Sequence, residues 1–269
     1  MFLRRRFLLR LLFILPLLLL AGCEETPTGR SQLALVPENL MTEMGEGAFE
    51  QLRLRQPVSR DEALNRQVRC VAQEVVAAAE MSYSAVDLPE AWEVVVFEDA
   101  SPNAFALPGG RIGVHTGLLQ VAETPDQLAA VIGHEVAHVL ADHGNERLTQ
   151  QLGIKAVLLL VGFFGEGDLG QQQLLEALGL GAQLGISLPF SRTHEEEADL
   201  MGLAIMARAG FDPQQSVTLW RNMAAASGGQ PLEFLSTHPA HGSRIEALQK
   251  AMEEAMESYR AATPAECFG

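Results

Sequence analysis

A chain of 269 residues, 48% hydrophobic and 20% charged, can bury one substantial core, and its composition is that of a folded domain. A formal net charge of −15 excludes nucleic acid as a partner, since a polyanion would be repelled, and it also excludes a polybasic membrane-surface protein. One domain with short appendages is the expectation from these bounds.

Residues 1–22 read as a leader. Arg4, Arg5, Arg6 and Arg10 precede the apolar run 11–20, which ends too soon for a comfortable membrane span. Leu20-Ala-Gly-Cys23 then resembles the bacterial lipobox, in which the cysteine is acylated and becomes the mature N-terminus; the alternative is a plain signal peptide with an incidental cysteine. Acyl chains on Cys23 would anchor the protein in a membrane at roughly 0.8 kcal/mol per buried methylene. With Glu24 rather than aspartate next to that cysteine, the resemblance implies the outer membrane of the cell envelope, on its periplasmic side. Arg4-Arg5-Arg6-Phe7-Leu8 also matches a twin-arginine signal, a weak pattern. Such a compartment permits disulfides, so Cys70 and Cys267 either pair, clamping the C-terminal tail to an early helix, or remain thiols.

Residues 23–36, rich in Thr, Pro, Gly and Ser, predict a flexible tether, and residues 37–269 the folded domain. A helix over 37–55 is interrupted on paper by Gly45 and Gly47. Ser59-Arg-Asp-Glu62 resembles a capping box opening a better helix through Val68, Val71, Val75 and Val76 to about Met81. After Pro89, residues 92–97 are β-branched and aromatic, hence a strand. A turn-rich connection over 103–110 leads to a second strand at 111–116. Thr124 as N-cap and Pro125 at the first position then open another helix. The apolar run 156–164 is short for a membrane span and reads as a buried helix, with a surface hairpin that dips into lipid or grips substrate as the alternative. No internal repeat and no tetratricopeptide-like pattern is visible.

The helix opened by Thr124 carries H-E-x-x-H. His134 and His138 lie one turn apart on a single face, so two neutral imidazoles can grip one metal ion, with Glu135 close enough to take a proton from water. Two incidental histidines on a helix are the bland alternative. Against it, Leu128, Val131, Ile132, Val136, Val139 and Leu140 bury this helix, where unpartnered imidazoles are costly. A catalytic zinc needs a third protein ligand. Ser191-Arg-Thr-His-Glu-Glu-Glu-Ala-Asp199 opens a helix that stops at Gly210, and Glu195 and Asp199 share a face of it. One carboxylate can bind the ion while the other accepts the free N–H of a ligating histidine. Glu196 and Glu197 point in other helical directions and are alternative ligands.

H-E-x-x-H followed by E-x-x-A-D resembles the zinc metallopeptidase family of the HtpX and CAAX prenyl proteases. Within it, the sequence resembles the soluble periplasmic lipoprotein branch of the β-barrel assembly-enhancing proteases. The resemblance implies one zinc ion held by His134, His138 and Glu195, with Glu135 as general base and Asp199 behind a ligand. It extends to Asn103-Ala-Phe105, to Pro108-Gly109-Gly110-Arg-Ile112 and to Gly117-Leu-Leu. These look like the family's edge-strand segment, along which a substrate chain lies by strand addition, making Asn103, Phe105, Gly109, Gly110 and Ile112 substrate-binding candidates. Residues 236–245 look like its H-P-x-x-x-x-R-I element. His238 there is a candidate fourth zinc ligand or latch, or merely a turn residue, and Arg244 either supports an oxyanion or pairs with a structural carboxylate. His115, His143, His194 and His241 have no ligand spacing and read as structural or solvated.

The expected fold is α+β and mainly helical, a zincin-like metallopeptidase domain with a small β-sheet beside the H-E-x-x-H helix. The expected function is a tethered periplasmic endopeptidase acting on unfolded or misassembled envelope polypeptides, anchored through Cys23 and associated with envelope assembly machinery. The alternative is an assembly factor that binds clients on its edge strand with little turnover.

Overall fold

The structure, a computed structural model, describes residues 23–151, 153, 189–226, 233–239 and 242–267. The leader over 1–22, the apolar run 156–164 and His241 lie outside the described residues.

Residues 23–36, expected as a flexible tether, instead form a small docked unit. Strand β1 (Cys23–Glu25) pairs antiparallel with β2 (Ser31–Leu33), Gly29 turns the chain at φ 82°, and Thr26, Gln32, Ala34 and Val36 are buried. The polar residues that suggested flexibility are consumed by buried carboxylates described below. Helix α1 (Glu38–Arg55) runs without a break. Gly45 is a contact rather than an interruption: a Cβ there would come within 2.1 Å of the Pro108 carbonyl oxygen. Helix α2 (Glu62–Ser82) is capped not by Ser59 but by Asp61, whose side chain accepts from the N–H groups of Ala63 and Leu64.

The sheet has the order β3-β5-β4, built from β3 (Glu93–Phe97), β4 (Ala104–Leu107) and β5 (Arg111–His115). β3 runs parallel to β5 and β4 antiparallel to it. The segment read as a turn-rich connection therefore contains a strand, and only Pro108, Gly109 and Gly110 make the turn, both glycines at positive φ. Side chains alternate as the pleat requires. Val96, Ala104, Ile112 and Val114 join the main core, while Phe97, Phe105 and Leu107 pack on Ala48 and Phe49 of α1. Gly113 is bare because the Phe105 ring lies where its Cβ would be.

Helix α3 (Pro125–Leu140) starts at Thr124, which accepts from the Gln127 N–H, and is buried nearly throughout. Leu128, Val131, Ile132, Val136 and Leu140 each contribute about 1.5–3 kcal/mol on leaving water. Helix α4 (Arg192–Arg208), capped by Ser191 and ended at Gly210 with φ 81°, crosses α3 at closest approach. Gly133 and Gly202 meet at that crossing. A Cβ on Gly202 would sit 2.8 Å from the His134 nitrogen, so the two helices approach backbone to backbone. Helices α5 (Gln214–Ala226), α6 (Glu233–Thr237) and α7 (Gly242–Ala261) complete the domain, α5 packing on α3, and α7 on α4 and α5. A Cys70–Cys267 disulfide ties the tail to α2. Mainly helical with a small sheet beside α3, the architecture is the zincin-like one expected. Among the described residues, no helix is long and apolar enough to cross a membrane.

Candidate metal centre

The crossing of α3 and α4 brings together residues 61 positions apart in sequence. His134 Nε2 lies 3.0 Å from His138 Nε2, and Glu195 Oε1 lies 3.5 Å from the latter. From the residue after α6, His238 adds Nδ1, 3.1 Å from His134 Nε2 and 3.0 Å from Glu195 Oε1. All four residues are buried, and among the described residues they are the group able to hold a metal ion. Of the three consecutive glutamates only Glu195 faces the cluster. Glu196 reaches out to Ser243 and Glu197 turns to His143.

The donor set itself tests whether a cation fits. His134 Nδ1 lies 3.0 Å from Asp199 Oδ1, and a carboxylate can only accept, so the proton sits on Nδ1 and the Nε2 lone pair faces inward. His138 is oriented likewise, with Nδ1 2.8 Å from His143 Nδ1. Two inward lone pairs at 3.0 Å, beside a carboxylate, repel one another unless a cation lies among them. A tetrahedral ion with bonds of about 2.0–2.1 Å sets its ligand atoms about 3.3 Å apart. The observed separations of 3.0–3.5 Å match that spacing. Glu195 Oε2 points the same way: it lies 2.6 Å from Arg244 Nη1 as an ion pair yet accepts no aligned hydrogen bond.

Behind the cluster, Arg244 grips Asp199 through two contacts of 2.6 Å and stacks 3.9 Å over Trp220. It is fully buried behind the ligands, where it secures Asp199 and Glu195 rather than facing the open cleft. Burial opposes the charged form of Asp199, but Arg244 and His134 outweigh it and keep the carboxyl below its usual range. Burial works against positive charge at His134, yet Asp199 and Glu195 lift its pKa to about 9, so this point of the cluster favours a positive charge, which a proton on Nε2 supplies until a bound cation replaces it. Glu135, also buried, is pushed up by desolvation, which suits a group that must exchange protons near neutrality.

On the solvent side, Glu135 Oε2 accepts the N–H of Ala106 at 3.2 Å, and Oε1 lies 3.4 Å from His238 Nε2 without a hydrogen bond. β4 is an edge of the sheet. Phe105 pairs with Gly113 inside it, while the Ala106 N–H points outward to the base. A cavity of about 310 Å³ runs past this edge, lined among others by Ala106, Gly109, His138, Asp142, Arg147 and Phe190. Gly109 thus borders it. Ile112 is in the central strand and fully buried, and the Phe105 side chain is in the α1 cluster, so neither side chain meets an incoming chain. Gly110 packs its α-carbon against Ala91 and Trp92, and Asn103 is buried with its carbonyl accepting from the His115 N–H.

Three contacts escaped the sequence. Phe190 stacks on His138 at 3.9 Å, Arg147 lies 3.9 Å over the Phe190 ring, and Ala106 carries the outward N–H. His143 and His194, expected to be structural or solvated, are buried. His143 bonds directly to His138, and His194 stacks on His143 at 4.5 Å. His115 is structural as expected, its Nδ1 2.9 Å from the Ser101 hydroxyl.

Paired helices carrying H-E-x-x-H and a downstream glutamate around one cation site, beside an edge strand, define a metallopeptidase of the zincin type. The chain belongs to Peptidase family M48, whose model matches residues 62–252. It is 40% identical over 166 residues to the mitochondrial metalloendopeptidase OMA1 of Schizosaccharomyces pombe, covering 61% of this chain and 48% of that protein. It is 32% identical over 264 residues to metalloendopeptidase OMA1 of Danio rerio, covering 92% of this chain and 54% of the relative. To the beta-barrel assembly-enhancing protease of Yersinia pestis it is 31% identical over 211 residues, 75% of this chain and 42% of that one. The chain thus spans between about a third and a half of the length of most curated relatives it matches.

Proposed function

We propose that this protein is a zinc-dependent endopeptidase that cleaves unfolded or misassembled polypeptides of the cell envelope, held at the membrane through an acylated Cys23. The observation that carries the reading is the convergence of His134 Nε2, His138 Nε2 and Glu195 Oε1 around one point, with Glu135 buried beside it. Those three side chains would hold the zinc. When bound, zinc supplies a Lewis acid that polarises the scissile carbonyl and acidifies water. Glu135 takes the water proton on a carboxylate oxygen and returns it to the leaving amine. Asp199 holds His134 in the tautomer that presents its Nε2 lone pair, and Arg244 holds Asp199.

Substrate enters as an added strand on β4. Its backbone carbonyl takes the Ala106 N–H, which withdraws that donor from Glu135 and frees the base. His238 occupies the position a substrate oxygen would need, so it acts as a latch. The likeness to the Yersinia pestis protein supports a substrate in β-barrel assembly; the likeness to the mitochondrial relatives supports the same endopeptidase chemistry in another compartment.

The deciding experiment is proteolysis of an unfolded outer-membrane polypeptide by the chain beginning at Glu24, with and without zinc. Glu135→Gln should cut turnover by about 10²–10⁴-fold while one zinc per chain is retained. His238→Ala should raise turnover. A second reading, a client-binding assembly factor, is favoured by one observation: four protein side chains converge here, as in closed structural metal sites. Full rescue of an envelope defect by Glu135→Gln would establish that reading in place of hydrolysis.

A further inference from the structure

The docked hairpin is wired to the metal centre. His138 presents Nε2 to the cluster, so its Nδ1 carries the proton and donates to His143 Nδ1 at 2.8 Å. That acceptance fixes His143 as the Nε2–H tautomer, and Nε2 donates to Glu197 Oε2 at 3.1 Å. Glu197 must then stay ionised and held. Among the described residues, every other donor to it comes from the hairpin: the Thr26 and Thr28 hydroxyls on Oε1, and Arg30 Nε on Oε2 at 2.6 Å. The same guanidinium reaches Glu146 at 2.8 and 3.2 Å, and Glu146 takes His194 Nε2 at 3.0 Å. One arginine therefore bridges two glutamates that clamp two stacked imidazoles against a candidate ligand. The hairpin is pinned at its far end as well, where Asn145 bonds both backbone groups of Val36 and Thr149 accepts the Leu35 N–H.

We propose that the β1–β2 hairpin is a positioning element of the metal centre, setting the tautomer and aim of His138 through Arg30, Glu197 and His143. Undocking the hairpin would leave Glu197 short of three donors and free the His143 ring to rotate, and His138 would lose its fixed orientation. Arg30, Thr26, Thr28, Glu197 and His143 are positioning residues on this account. Outer hydrogen-bond partners of metal-binding histidines are worth about 10–100-fold in metal affinity. The inference rests on the reading of the cluster as a zinc site.

The test is zinc affinity, measured by competition with a chromophoric chelator on a chain that keeps the whole hairpin and begins at residue 23 with Cys23→Ser, together with the visible spectrum of the cobalt-loaded protein. His143→Phe and Arg30→Met should each weaken zinc about 10–100-fold and broaden or shift the cobalt bands, with Arg30→Lys recovering part of the loss. Far-ultraviolet circular dichroism of the zinc-free variants reports the fold independently. Arg30→Met carries the test if His143→Phe does not fold, because Arg30 is at the periphery with 23% of its side chain exposed. A folded Arg30→Met protein that binds zinc within twofold of wild type with the wild-type cobalt spectrum overturns the inference and leaves the zinc reading standing. A wild-type protein that takes up no zinc overturns both.

Discussion

The two histidines of the motif stand one helical turn apart, yet they are supported from opposite ends of the chain. His134 leans on Asp199, and Asp199 on Arg244 of α7, all of them buried among α4, α5 and α7. His138 leans on His143, then Glu197, then the partly exposed Arg30 of the N-terminal hairpin. The first relay is short, charged and built into the core. The second is longer, passes through a neutral imidazole, and ends on a two-stranded hairpin. A two-stranded hairpin has little stability of its own. The contrast teaches that one ion can draw rigidity from one side and conditional support from the other.

Three substitutions break or sharpen this contrast. Asp199→Asn should have the largest effect, since it leaves the buried Arg244 charge with Glu195 as its one remaining carboxylate among the described residues: a stability loss of about 3 kcal/mol by denaturant unfolding, together with weakened zinc. Arg30→Met, by comparison, should lower zinc affinity with a far smaller loss of stability, and equal stability losses would erase the distinction between the relays. Next comes Gly202→Ala, which forces a methyl group against the His134 backbone and pushes both relays apart at once. A loss of about 1–3 kcal/mol and a drop in zinc affinity are expected, read by thermal unfolding and chelator competition.

The smallest effect concerns Asp142, in the turn between α3 and His143, where φ is 51° and burial lifts the carboxyl pKa to about 7, with Glu24 and Glu38 adding to the shift. A carboxyl raised on folding favours the native state while protonated, so its contribution is lost as pH climbs from about 4 through about 7. Asp142→Asn keeps an acceptor for Asn145 and tolerates the left-handed backbone. Its melting temperature should exceed that of wild type at pH 8 and the difference should vanish at pH 5.

Legibility in the sequence followed the same divide. The 3.6 periodicity, the Thr124 and Ser191 caps and the glycine stop at Gly210 are local signals, and the helices that carry the cluster could be drawn from them. His134, His138, Glu195 and Asp199 were nameable because each pair sits four apart on one helix. The second relay had no such spacing. His143 is five residues past His138 and returns to it only because the chain turns through Asp142 at a positive φ. Glu197 and Arg30 are 167 positions apart in sequence, so nothing local announces their pairing. The Thr and Gly of residues 23–36 suggested a loose tether, since composition does not reveal that a buried carboxylate is waiting for those hydroxyls. β4 came only from the family resemblance and not from the residue pattern: Ala104 and Ala106 lack the branched side chains that mark a strand, and their pairing with β5 defines it.

The contact between Ala106 and Glu135 has a consequence for selectivity. A helix or a paired strand keeps its own backbone groups engaged and has nothing to offer the Ala106 amide, whereas a loosened, extended stretch does. On the proposed reading, the catalytic carboxylate is spared for action only while such a stretch lies alongside. On that same reading, an unfolded polypeptide would be told from a folded one by the state of its main chain, without a recognition code in its side chains.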